Sequence, residues 1–68
     1  MDRRQLIDNL ILAVETVLAD PTVPMTEDAR FCNERRLAGM KAAGDNLVEV
    51  TRLVSGVQWS IEHQNDEF

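Results

Sequence analysis

The sequence predicts an all-α protein, and three observations support this fold class. From Met40 to Ile61, apolar residues recur at alternating steps of three and four, which is the repeat of one helix face sustained for about three heptads. A wider apolar face with a helical period covers residues 3–19. Pro21 and Pro24 separate the two stretches and exclude a helix interior between them. We therefore predict a helical hairpin with a short first helix and a long second helix.

Length and composition predict one small folded domain over residues 1–68. Hydrophobic residues make up 44% of the 68 residues, a normal share for a folded protein, so wholesale disorder is excluded. A core of this size is thin and needs an additional source of stability. Cys32 is the only cysteine, so no disulfide framework is available within the chain. We therefore expect oligomerisation to supply the additional stability.

The charge balance limits the classes of partner. Seven basic and twelve acidic side chains give a net charge of −5, which disfavours nucleic acid because backbone binding requires Lys and Arg to neutralise phosphates. A transcription factor is therefore the least favoured class. No stretch approaches the roughly 18 apolar residues of a membrane span, and the apolar run after the first residues is broken by Asp8 and Asn9. We expect a cytoplasmic protein that uses no cofactor.

Local signals place the first helix over residues 3–19 and a loop over residues 20–26. Asp2 is a suitable N-cap for the first helix because its side chain can accept a bond from a free backbone amide. Thr26 is a similar N-cap for the next helix. The apolar face of the first helix is wide enough to contact two neighbours, as in a helical bundle.

The stretch around Gly44 allows two architectures. The apolar residues between Met40 and Ile61, which we call the apolar seam, keep the same helical period on both sides of Gly44. This favours one continuous helix over residues 27–62, roughly 54 Å long. A frayed tail over residues 63–68 follows it. The alternative is a three-helix bundle broken at Gly44, with a C′ glycine and a capping box that starts at Asn46.

The continuous helix predicts a homodimer. A first helix of about 17 residues covers only half of a helix twice its length. The exposed remainder of the seam then needs a second chain, most simply in a two-fold dimer. The residues assigned to this oligomer interface are Leu47, Val50, Val54, Val57 and Ile61.

Aromatic and basic side chains outside the seam predict a surface for a second protein. Trp59 and Phe31 lie away from the seam, and Trp and Arg are frequent anchors of protein interfaces. With Arg35 and Arg36 they form the predicted partner-binding set. An alternative hypothesis uses the basic band between residues 29 and 42 to hold an anionic ligand such as a nucleotide. The residues of this band are Arg30, Arg35, Arg36 and Lys41.

One fragment supports the anion-binding alternative by resemblance. Residues 34–38, Glu-Arg-Arg-Leu-Ala, are followed by Lys41 and come after a helix and a proline-containing loop. This fragment resembles the helical hairpin domain of phage proteins that sequester cyclic-nucleotide immune signals. It departs from that family at Gly39, at residues 42–44 and at Val48, which lies near the family's tryptophan, so we do not assign the chain to the family. More broadly, size and acidity are typical of small accessory proteins of phages and mobile elements.

No residue pattern predicts an enzyme or a metal site. His63 with Glu67, Asp45 with Glu49, and Cys32 are isolated pairs or single groups without the further ligands or bases that metal binding or nucleophilic catalysis needs. We therefore expect a non-enzymatic, acidic interaction protein that oligomerises, binds another protein and acts as its inhibitor.

Overall fold

A computed structural model of the chain describes residues 2–64 and contains three helices and no strand within them. Helix α1 spans Arg3–Ala19, α2 spans Glu27–Ala42 and α3 spans Leu47–His63. The all-α prediction is confirmed. No described helix is both long and apolar enough to cross a membrane.

Each helix begins at a side chain that accepts a hydrogen bond from an otherwise free amide. Asp2 accepts from the amide of Gln5 at 2.7 Å, and Thr26 accepts from the amide of Ala29 at 3.1 Å. The acidic residues 27 and 28 occupy the first turn of α2, where the positive end of the helix dipole favours negative charge. The predicted N-caps of the first two helices are therefore confirmed.

The prediction of one continuous helix over residues 27–62 is wrong, and the three-helix alternative is observed. Helix α2 ends at Ala42, and Gly44 adopts a left-handed backbone conformation with φ of 63°, which L-residues with a Cβ atom avoid. Asn46 then accepts a bond from the amide of Glu49 at 3.1 Å and starts α3. The apolar residues keep their regular spacing across the turn because Ala43 and Leu47, on either side of it, both pack against the core.

The three helices run up, down and up. Arg30 near the start of α2 donates to the carbonyl of Leu18 near the end of α1, at 2.6 Å. An ion pair of 3.3 Å joins Arg4 near the start of α1 to Asp45 just before α3. Helices α1 and α3 are consequently parallel to each other, and α2 is antiparallel to both. The interface between α2 and α3 is the most extensive of the three.

One core runs through the bundle. It is built from apolar side chains at helical spacing on all three helices, and Ile7, Met40 and Val50 are fully buried. These side chains leave water on folding, and each contributes on the order of 2 kcal/mol. The other buried members of this core are Val14, Leu18 and Val57.

The end of α3 is tied to the loop between α1 and α2. Gln64 donates to the carbonyl of Pro24 at 2.6 Å and accepts from the amide of Thr26 at 2.9 Å. The tail was expected to fray from residue 63, but His63 is the last residue of α3 and Gln64 is its C-cap. The rest of that tail, residues 65–68, lies outside the described residues.

Candidate functional site

The four residues of the predicted partner-binding set lie at one level of the bundle, on α2 and α3. We call this group the aromatic–arginine surface, and its members are Phe31, Arg35, Arg36 and Trp59. Asn33 on α2 meets Ser60 on α3, with 3.5 Å between the side-chain nitrogen and hydroxyl. Phe31 precedes Asn33 by two residues, and Trp59 precedes Ser60 by one, so both rings lie within about one turn of this contact along the helix axes. Two residues correspond to about 200° of rotation, so Phe31 points away from the side of α2 that faces α3.

Trp59 presents its ring to solvent in a fixed orientation. Its side chain is 62% exposed, although a ring of this size is normally well buried. The imidazole of His63, one turn later, stacks on it with ring centroids 4.4 Å apart and an angle of 12° between the planes. His63 Nδ1 lies 2.9 Å from the carbonyl oxygen of Trp59; because a carbonyl only accepts, Nδ1 is the donor. This arrangement restricts the indole and lowers the entropic cost of using it in binding.

Phe31 and Arg35 form a second exposed pair, one turn apart on α2. Phe31 is also 62% exposed. The guanidinium carbon of Arg35 lies 5.8 Å from the centre of the Phe31 ring, within the distance at which a cation is attracted to an aromatic face. The pair therefore combines an apolar ring with a solvent-facing positive charge.

Arg36 lies across the α2–α3 interface. Its Nη1 donates to the side-chain oxygen of Asn33 at 2.7 Å, and Asn33 is fully buried. Its stem passes over Gly56 on α3, where an added Cβ atom would stand 2.8 Å from Arg36 Nε. Gly56 is thus required for close approach of the arginine. Arg36 fills two roles: it satisfies a buried amide oxygen, and it brings charge to the edge of the surface.

The basic band of the anion-binding alternative does not converge. Arg30 donates to a backbone carbonyl at the end of α1, and Lys41 forms an ion pair of 2.8 Å with Glu15 of α1. Both therefore face α1, whereas Arg35 packs over Phe31 and Arg36 faces α3. On an α-helix, residues 35 and 36 are about 100° apart, and both lie far from the face shared by residues 30 and 41.

A second surface feature is an apolar groove between α1 and α3. Its volume is about 380 Å³. Ala13 and Val17 form one wall, Val54 and Ile61 the other, and Val57 part of the floor, while Gln58 and Glu62 contribute to the rim on the α3 side. We call it the α1–α3 groove.

The predicted oligomer-interface residues divide between the core and this groove. Val50 and Val57 are buried within one chain, and Leu47, Val54 and Ile61 are partly buried against the same core. The apolar seam is therefore buried by the other helices of the same chain. The dimer was predicted because a short first helix could cover only half of a long second helix, and the three-helix fold removes this reason. Val54 and Ile61 remain accessible as a wall of the groove, and Leu47 lines a separate shallow depression on α3 with Val48 and Thr51.

The remaining chemistry-bearing groups stay dispersed. Within residues 2–64, no three His, Cys, Asp or Glu side chains stand together as a metal-ion site would require. Cys32 is exposed. Hydrogen bonding from Arg52, at 2.6 and 2.9 Å, lowers the pKa of Glu49 below its ordinary value. Glu67, the second member of the His63 pair, lies outside the described residues.

Comparison with protein families, curated proteins and solved structures gives no match to this chain.

Sequence reasoning missed two residues that shape these surfaces. Asn33 was visible as a polar interruption of the seam, and a polar residue at a core position is the usual sign of a buried hydrogen bond. Gly56 gave no comparable signal, because only the three-dimensional contact with Arg36 explains it. The α1–α3 groove was also missed, since it exists only once the chain turns at Gly44.

Proposed function

We propose that this protein is a non-enzymatic interaction protein that self-associates and binds an acidic segment of another protein through its aromatic–arginine surface. The observation that carries the proposal is the exposure of two aromatic rings at one level of the bundle, each with an arginine near it. Arg35 lies over the ring of Phe31, and Arg36 lies over Gly56, three residues before Trp59. Aromatic residues and arginine dominate the binding energy of protein interfaces.

The positive charges of Arg35 and Arg36 support the proposal that the partner is acidic. The four ion pairs formed among residues 2–64 involve Arg4, Lys41 and Arg52, and neither Arg35 nor Arg36. The positive charge of this surface is therefore available to a partner, although the whole chain carries −5. Arginine pairs well with carboxylates because its donors match their geometry. An inhibitory role follows if the bound acidic segment is itself a functional site of the partner.

The contacts support this proposal over capture of a small anion. A nucleotide phosphate needs several donors that converge on one point. Arg30 and Lys41 are engaged on the α1 side of the bundle, whereas Arg35 packs over Phe31 and Arg36 lies across the α2–α3 interface. The large exposed rings suit a protein surface, where a buried aromatic anchor supplies most of the affinity.

The test is an affinity capture with quantified binding, using substitutions at exposed positions so that the fold is kept. Trp59→Ala removes an anchor, and Val48→Ala is its matched control, because Val48 is 80% exposed on the same helix but stands eleven residues, about 16 Å, from Trp59 along α3. Loss of a hot-spot residue costs about 2 kcal/mol, or roughly 30-fold in affinity. We expect Trp59→Ala to lose the captured partner and Val48→Ala to retain it.

A charge-reversal pair separates the two hypotheses. Arg35→Glu acts on the aromatic–arginine surface, and Lys41→Glu acts on the other side of α2. We expect only Arg35→Glu to abolish binding. A partner that is lost equally with both variants would implicate the basic band, and retention by Trp59→Ala and Arg35→Glu would remove the site assignment. Circular dichroism of each variant verifies that the helices are intact.

A further inference from the structure

We infer that His63 makes the Trp59 part of the aromatic–arginine surface responsive to pH. A proton on the imidazole adds a positive charge in contact with the indole, and Trp59 then attracts anionic groups more strongly. The inference rests on the proposed function, because the carboxylates of an acidic partner are such groups, and it concerns the regulation of that same site. Three features support it: the contact between the two rings, the second ring nitrogen, and the pairing of the charges around the end of α3.

Imidazole is the side chain that ordinarily changes charge near neutral pH. It gains a proton between about pH 8 and pH 5, whereas carboxylates gain theirs nearer pH 4. The sequence contains one histidine, His63. A change from pH 7.5 to pH 5.5 therefore acts on this ring, while the carboxylates and arginines of the chain stay charged.

The contact between the two rings is one that a charged imidazole keeps. The ring centroids of Trp59 and His63 are 4.4 Å apart and the planes differ by 12°, so a positive charge on His63 lies over the face of the indole. Nδ1 lies 2.9 Å from the carbonyl oxygen of Trp59, and it is a donor to that oxygen in both charge states. His63 is also the last residue of α3, where the negative end of the helix dipole accommodates a cation. Protonation therefore adds charge to the pair without separating the rings.

The second ring nitrogen of His63, Nε2, is the atom that takes up the proton. Because Nδ1 already carries a hydrogen as donor to the Trp59 carbonyl, Nε2 holds the free lone pair. Within residues 2–64 no side chain or backbone group donates a hydrogen bond to Nε2. The imidazole is only partly buried, so water delivers the proton and an anion can approach the charge that results.

The charged groups around this end of α3 leave His63 unpaired. They are Glu15 of α1, Asp20 of the loop, Glu27, Asp28, Arg30 and Glu34 of α2, and Glu62 of α3 itself. Glu15 is paired with Lys41. Arg30 donates to a backbone carbonyl, and Asp20 accepts from the hydroxyl of Thr22. No ion pair formed among residues 2–64 includes His63, and Glu67 lies outside the described residues. The charge added by a proton is therefore available to a partner.

The test uses iodide as an anionic probe of Trp59 and acrylamide as a neutral one. Trp59 is the only tryptophan, so quenching of the protein's emission reports on this ring. An iodide that touches the indole stands about 5 Å from the added charge, which enriches a monovalent anion roughly fourfold in water and about twofold after screening at physiological ionic strength. We expect the ratio of the iodide to the acrylamide Stern–Volmer constant to rise about twofold from pH 7.5 to pH 5.5. The ratio cancels any change in emission lifetime, which affects both probes alike.

Two substitutions at position 63 separate charge from pH. His63→Gln keeps a side-chain donor but does not titrate, so its ratio should be equal at both pH values. His63→Arg carries a permanent charge that also stacks on aromatic rings, so its ratio should be high at both. Circular dichroism at each pH verifies that the helices are intact.

A relocated histidine controls for the net charge of the chain. The double variant His63→Gln with Val48→His titrates over the same range, but its imidazole stands about 16 Å from Trp59 along α3, roughly two Debye lengths at physiological ionic strength. Val48 is 80% exposed and accepts the change. We expect no rise in this variant. An unchanged ratio in the wild type, or a rise of wild-type size in either variant that lacks His63, would overturn the inference. Iodide replaces the partner here, so this result and the capture experiment with Trp59→Ala can fail separately.

Discussion

Substitution of Gly44 distinguishes the observed turn from a continuous helix by the sign of its effect. Gly44 has φ of 63°, and an added Cβ atom would meet no other atom within 4 Å. Steric contact with neighbouring atoms therefore does not affect the stability of a variant at this position. Only the preference of the new residue for this backbone conformation does. An L-residue in this conformation costs about 1–2 kcal/mol, partly offset by the smaller entropy of the unfolded chain when glycine is removed.

We expect Gly44→Ala to lower the free energy of unfolding by about 1 kcal/mol, which is roughly 4–8 °C in Tm for a domain of this size. In a continuous helix the same change would raise stability by about 1 kcal/mol. The assay is urea and thermal unfolding followed by circular dichroism, at one fixed protein concentration because dimerisation shifts apparent stability. Gly44→Asn is the control, since Asn tolerates this conformation better and should cost less. A more stable Gly44→Ala variant would refute the turn.

Three further predictions follow from contacts within the bundle. Met40→Ala should lower stability by about 2–5 kcal/mol in urea unfolding, because Met40 is fully buried and its removal leaves a cavity; a loss below 1 kcal/mol would contradict its place in the core. Arg30→Met keeps the stem but removes the donor to the Leu18 carbonyl, so a loss of about 1 kcal/mol is expected, and no loss would show that water replaces this cap. Hydrogen bonding from Arg52 lowers the pKa of Glu49 from 4.5, so its contribution is present above pH 4.5 and disappears as pH falls through the lowered value. Acid titration should accordingly show a loss of stability below pH 4.5 that is smaller in Glu49→Gln than in the wild type. Part of the loss remains in the variant because hydrogen bonding from Thr22 also lowers the pKa of Asp20.

The fold class and most helix boundaries follow from local signals that act within a few residues. The N-caps at Asp2 and Thr26 and the two prolines fix the first helix, the loop and the start of α2. At Gly44 the apolar period predicted a continuous helix, whereas the glycine and the Asn46 capping box predicted a turn. The prediction from the period was wrong. An apolar period reports which residues face a core, but it does not report whether the chain turns between them. The C′ glycine and the Asn46 cap describe the backbone directly, and they identified the correct architecture.

The candidate surfaces were predictable only in part. The exposure of Phe31 and Trp59 follows from their positions off the apolar seam. That they lie at the same level of the bundle depends on the antiparallel packing of α2 on α3, which a continuous helix would not produce. Arg30 and Arg36 are both on α2, and the six positions between them turn their side chains about 120° apart. Their separation therefore follows from helix geometry, and only the groups that each of them contacts depend on the tertiary arrangement.

The fold-back of α3 on α2 is the central claim, and energy transfer from Trp59 to an acceptor on Cys32 tests it most directly. The chain has one tryptophan and one cysteine, and the cysteine is exposed and can be labelled. In the bundle the two residues flank the contact between Asn33 and Ser60, within about 15 Å of each other given the spacing of packed helices. In a continuous helix, 27 residues would separate them by about 40 Å. Labelled chain is diluted into an excess of the unlabelled Trp59→Phe variant, so that transfer occurs within one chain. The bundle predicts nearly complete quenching of Trp59 emission, whereas emission close to that of the unlabelled wild type would contradict it.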